Sequence, residues 1–184
     1  MLKNTSAIYG SVAKFFHWLM AALIIAMLMI AFTMINIPPS KASVALFSVH
    51  KATGLLIFGL VILRLSWRFI NKTPKLPPSI PFWQRQLAKM NITGLYLLMF
   101  VMPLTGFFMS TLGDHAVSFY GIFTIPALAN IQPWSKFFAK AHEVFAYLLI
   151  ASLTLHVIGA FYHPVLQRMW ALPKNRMKIT ENNK

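Results

Sequence analysis

The stretch SKFFAKAHEVFAYLLIASLTLHVIGAFYHPVLQ, residues 135–167, decides the fold. From Ala141 to Gly159 its only charged residue is Glu143, and about 20 mainly apolar residues cross a bilayer as a helix. His142 and His156 interrupt the run, fourteen residues apart. At ~1.5 Å per residue and ~100° per residue they stand about 21 Å apart along the axis and about 40° apart around it. One membrane helix therefore offers an imidazole at two depths on nearly one face.

Working outward, three more apolar stretches precede it, at 9–37, 43–67 and 90–112. The first closes at Pro38-Pro39-Ser40, and the second gives way to Arg68 and the prolines Pro74, Pro77, Pro78 and Pro81. The run from Trp18 to Ile35 is 18 residues, longer than the ~7–15 of a signal sequence, so it reads as a retained helix. Only 11% of the 184 residues are charged and 58% are hydrophobic, against about 25% charged in soluble domains. The expectation is an all-α integral membrane four-helix bundle, up-and-down, forming a single membrane domain over residues 1–184 in a lipid bilayer.

Seventeen Lys and Arg face three acids, Asp114, Glu143 and Glu181, for a net charge of +14. The cations sit between apolar runs rather than on one polar face, which argues against a nucleic-acid partner and for anionic lipid headgroups. Thirteen of them fall at the N-terminus, around the second connection and at the C-terminus; the other four are Lys41, Lys51, Lys136 and Lys140. That bias predicts cytoplasmic N- and C-termini, with the connection from Gly113 to Trp134 outside as an aromatic cap. There is no cysteine, which excludes disulfides, iron–sulfur clusters, thiolate zinc sites and covalently attached haem.

The histidines carry the chemistry. His17 lies near the N-terminal start of the first helix and His50 near the start of the second. Alternating helix directions bring His17 to the depth of His156 and His50 to that of His142. An ionisable group inside a membrane marks a functional path, and paired neutral imidazoles suit haem iron, with both axial positions filled for electron transfer. The expected cofactors are two non-covalent haems b, with axial iron ligands in the pairs His17–His156 and His50–His142. The residues four beyond these histidines, Ala21, Gly54, Ala146 and Ala160, are small enough to admit a flat porphyrin; His115 and His163 are followed instead by Phe119 and Gln167.

Each feature also has a plainer reading. A membrane histidine often serves only as an interhelical hydrogen-bonding group. His163, on the face of His156, is a helix-end residue, a substitute inner ligand or a participant in proton or quinone chemistry, and His115 beside Asp114 is a solvated loop residue. Lys51 and Arg64 pair with haem propionates or snorkel to the interface; Glu143 binds near a propionate or is simply exposed. Gly94, Pro103 and Gly106 read as packing and kink positions in a third helix that only walls the pocket.

The segments Tyr9-Gly-Ser-Val-Ala-Lys-Phe-Phe-His-Trp-Leu19, His50-Lys-Ala-Thr-Gly54 running on to Arg64, Ala141-His-Glu143, and His156 with His163 resemble the bacterial cytochrome b561 family, which embraces the cytochrome b subunits of nickel–iron hydrogenases. The resemblance covers roughly Tyr9 to Pro173, including the Ser110-Thr-Leu-Gly-Asp114 turn. It implies a four-helix diheme protein of the bacterial inner membrane, with ligands at His17, His50, His142 and His156. It also implies electron transfer between quinone, as substrate, and a second partner, either a redox protein or superoxide, since one branch is a superoxide:quinone oxidoreductase. Some members carry histidine near the start of helix 3, where this chain has Lys89 and Thr93. Two other functions stand beside this one: a membrane-anchor cytochrome b subunit of a separate dehydrogenase or hydrogenase, and a histidine-based metal or proton transporter. Against the transporter are the lack of intramembrane acids and of an internal repeat.

Overall fold

Pro38, Pro39 and Ser40 make the first turn. Ile37, just ahead of Pro38, is extended (φ −94°, ψ 146°), as a residue before proline is pushed to be, so α1 (Ser11–Asn36) stops there. Ser40 opens α2 (Lys41–Ile70) with a reciprocal cap. Its hydroxyl accepts the Ser43 N–H at 3.2 Å, and the Ser43 hydroxyl accepts the Ser40 N–H at 2.9 Å, satisfying two otherwise orphaned donors. Pro81 precedes α3 (Phe82–Thr111), and α4 spans Gln132–Tyr162. The computed structural model describes residues 1–6, 8–74, 80–162 and 169. All four helices are long and apolar enough to cross a membrane.

α1 falls within its apolar stretch, but the other three helices start ahead of the stretches that announce them. The third run starts at Met90, yet its helix starts at Phe82. The added turns, Phe82-Trp-Gln-Arg-Gln-Leu-Ala-Lys89, mix polar and aromatic side chains suited to headgroups. A hydropathy reading marks the hydrocarbon, whereas the helix continues through the interface. The second and fourth helices likewise begin at Lys41 and Gln132 rather than at 43 and 135. Residues 163–167 of the expected fourth helix, His163 among them, lie outside the described residues.

Packing follows chain order: α1 on α2, α2 on α3, and α3 most extensively on α4. A core of Met20, Ile57, Val61, Leu95, Leu98, Met99 and Leu149 draws on all four helices. Large apolar side chains on the outside, such as Ile25, Met29, Phe32, Leu63, Leu97 and Leu155, are exposed, which is the solvation that lipid supplies and water does not.

The α3–α4 connection holds an antiparallel hairpin, β1 (Val117–Phe119) and β2 (Phe123–Ile125). Tyr120 (φ 49°) and Gly121 (φ 78°) both take positive φ, as tight hairpin turns with the right twist require. The Tyr120 hydroxyl meets Thr53 Oγ1 at 2.7 Å, and Lys51 Nζ donates to the Ala116 carbonyl at 2.8 Å. The hairpin is thereby clasped to α2, and it defines the hairpin end of the bundle, opposite the N-terminal end.

Candidate functional site

Two imidazole pairs form inside the bundle. His50, on the second turn-and-a-half of α2, and His142, on α4, stand with ring centres 6.3 Å apart and planes at 78° near the hairpin end. His17 and His156 stand 6.1 Å apart at 58° near the N-terminal end. His17 is six residues into α1, and His156 six residues before the described end of α4, so antiparallel helices bring them to one depth.

These separations have a chemical meaning. A metal–imidazole nitrogen bond is about 2.0–2.1 Å and the ring centre lies roughly 1.1 Å behind the nitrogen, so two imidazoles on opposite sides of one ion stand about 6.3 Å apart. Both pairs meet that requirement. Among the described residues no group of three or more His, Asp or Glu is placed to hold a metal ion. Two imidazoles alone underfill a zinc site, but two would suffice for an iron that a porphyrin already holds.

The hairpin-end pair opens into an apolar cavity of about 590 Å³, within the range of cofactor sites. Gly54 and Ala146, one turn beyond the two histidines, line it, as do Met99, Met102, Gly106 and Leu149. His50 Nδ1 is buried there without a hydrogen-bond partner, a state that costs about 1–3 kcal/mol if left unsatisfied. A flat apolar cofactor carrying a metal fits this lining.

The third helix does more than wall the pocket. His142 Nδ1 lies 3.1 Å from the Met102 carbonyl and 3.2 Å from Thr105 Oγ1. A carbonyl only accepts, so Nδ1 carries the proton and Nε2 keeps its lone pair for a metal. The Thr105 hydroxyl is directed at the Met102 and Val101 carbonyls, 2.9 and 3.1 Å away, leaving its own lone pairs toward the imidazole. A Cβ on Gly106 would lie 3.1 Å from His142 Cε1, so glycine is what lets α3 approach the ring. Pro103 withholds an N–H from the Met99 carbonyl one turn earlier. No sequence signal pointed to Met102 or Thr105, since a backbone carbonyl is anonymous in sequence; the run Pro103-Leu-Thr-Gly106 was the available hint.

The N-terminal-end pair is held differently. His17 Nδ1 lies 3.2 Å from Arg64 Nη2. A guanidinium only donates, so here Nδ1 accepts and the proton of a neutral His17 sits on Nε2. Arg64 also reaches Met20 Sδ at 3.7 Å and lies 5.4 Å above the Tyr96 ring.

Of the other singled-out residues, Lys51 and Glu143 line the hairpin-end cavity beside His50 and His142, and His115 does not. His115 is exposed in the connection beside Asp114, itself at φ 63°. Glu143 is an exposed partner of Lys140 at 2.9 Å, and the Lys51 ammonium is taken by the Ala116 carbonyl.

The family profile described as prokaryotic cytochrome b561 matches residues 8–174. The chain is also similar to cytochrome b561 homolog 2 of Escherichia coli (strain K12), 28% identical over 171 residues, covering 90% of this chain and 89% of that protein. The chain therefore belongs to the prokaryotic cytochrome b561 family, multi-pass bacterial membrane proteins that bind b-type haem for electron transfer.

Proposed function

We propose that this chain is a diheme cytochrome of the bacterial inner membrane, passing electrons between quinone and a second redox partner such as superoxide. The observation that carries this reading is the pair of imidazole–imidazole separations, 6.3 and 6.1 Å, at two depths of one bundle. His50 and His142 hold one haem b, and His17 and His156 the other. When bound, the two haems accept and pass on single electrons, which makes a conductor across the bilayer.

The protein's own part is orientation and exclusion. The Met102 carbonyl and Thr105 hydroxyl hold the proton of His142 on Nδ1, which would leave the Nε2 lone pair for the iron. Both pairs lie among four helices long and apolar enough to cross a membrane, and two imidazoles would fill the positions on the iron that oxygen needs. The hairpin end faces outward in this reading, with Lys41, Lys51, Lys136 and Lys140 near it. Lys41 and Lys136 are exposed, and their field favours approach of an anion such as superoxide. Neutralising these two and finding the same salt dependence of haem reduction by superoxide would remove that partner from the reading.

The first test is a dithionite-reduced minus oxidised visible spectrum of detergent-purified protein, with haem counted as its pyridine haemochrome. Two haems b per chain, falling to one in His50→Ala or in His17→Ala, is the expected result. A colourless protein sinks the proposal.

A further inference from the structure

Arg64 and Arg68 stand four residues apart on one side of α2, half-buried, and both guanidinium groups lie over the ring of Tyr96, at 5.4 and 5.3 Å. Like charges at this spacing repel, and a cation withdrawn from water needs an anion nearby. The Tyr96 ring offers its face to the guanidiniums but no formal charge. The carboxylates among the described residues are Asp114, in the hairpin-end connection, and Glu143, engaged by Lys140 near the start of α4. Neither is at the level of Arg64, which lies six residues before the end of α2 and touches His17.

The hold of Arg64 on His17 is also incompatible with ligation. If iron takes Nδ1, the lone pair that Arg64 uses is gone. If iron takes Nε2, the proton moves to Nδ1, and two donors then face each other. Either way Arg64 loses His17 as an acceptor, and its N–H groups must find another one.

We propose that Arg64 and Arg68, arrayed on Tyr96, form a carboxylate clamp at the level of the His17–His156 pair, and that it grips the propionate groups of the porphyrin bound there. A guanidinium is the side chain best shaped for this, with paired N–H groups matching two oxygens. The inference rests on the His17–His156 ligation proposed above. A phospholipid phosphate presents the same anionic oxygens, so the test must separate the two sources.

The holoprotein, with haem carrying ¹³C at its propionate carboxyls, is compared with Arg64→Gln, Arg68→Gln and Arg64→Lys by redox-induced infrared difference spectroscopy and by optical redox titration. The clamp predicts shifted labelled carboxylate bands in both glutamine variants. It also predicts that the haem at the N-terminal end becomes about tenfold harder to reduce, or about 59 mV for one electron, with Arg64→Lys in between. The haem at the hairpin end, unchanged in band and potential, reports that each variant has folded. Labelled bands and potentials identical to wild type overturn the proposal. If they are identical while bound phospholipid per chain falls, the anion is a lipid headgroup and the porphyrin assignment is wrong. Failure of the ligand reading looks different: His17→Ala would then retain both haems, whatever the arginine variants do.

Discussion

The two histidine pairs share a spacing and differ in preparation. At the hairpin end, α3 has already set the tautomer of His142 through Met102 and Thr105, Gly106 gives the ring its room, and small residues open an apolar cavity. At the N-terminal end, Arg64 occupies the nitrogen of His17 and brings positive charge with it. In the proposed reading, an apolar, preorganised site and a cationic site that must rearrange would hold the same cofactor at different potentials, because a nearby cation favours the added electron. The lesson is that two imidazole pairs alike in sequence terms are distinguished by the helix that contributes no histidine to them and by an arginine.

The largest effects should break one pair and spare the other. His142→Ala should remove the hairpin-end haem and His156→Ala the other, each halving the pyridine haemochrome, and the double variant should be colourless; a single substitution that empties both sites would mean that the pairs are not independent. Gly106→Ala comes next. Its methyl group meets His142 Cε1 at 3.1 Å, an overpacking of about 1–3 kcal/mol, so hairpin-end haem should be lost more readily on heating while the second haem stays. Thr105→Val removes one acceptor of the His142 proton, about 0.5–1.5 kcal/mol; redox titration should show a small change confined to one of the two potentials. Smallest is Tyr120→Phe, which breaks the 2.7 Å link to Thr53. A loss of about 1 kcal/mol would lower the melting temperature by roughly 2–4 °C, with both haem spectra unaltered.

Much of the architecture was legible because membrane helices are regular. Fourteen residues between His142 and His156 convert directly into depth and face, and helix direction supplies each partner without knowledge of loops. What stayed hidden depends on contacts between helices. The Met102 carbonyl has no side-chain signature, and the approach of Arg64 to His17 depends on how α1 meets α2. The apolar stretch does not mark the start of α3, because Gln84, Arg85 and Gln86 are polar although the helix runs through them. The hairpin was missed for another reason. Val117, Phe119, Phe123 and Ile125 alternate around Tyr120-Gly121, a legible strand–turn–strand pattern, but aromatics beside a membrane span are first read as an interfacial belt.

One consequence of the packing order concerns biogenesis. The helices pack α1 on α2 and α3 on α4, so the chain divides into two helical hairpins that can enter the bilayer one after the other. Each imidazole pair takes one ring from the first hairpin and one from the second: His17 or His50 from the former, His156 or His142 from the latter. In the proposed reading, an iron bonded to both rings would be a further cross-brace between halves that already meet where α2 touches α3 and the hairpin strand β1. Cofactor supply would then set when the nascent bundle receives its last braces, and a haem-starved cell should accumulate a bundle more readily cut by protease than the haem-loaded one.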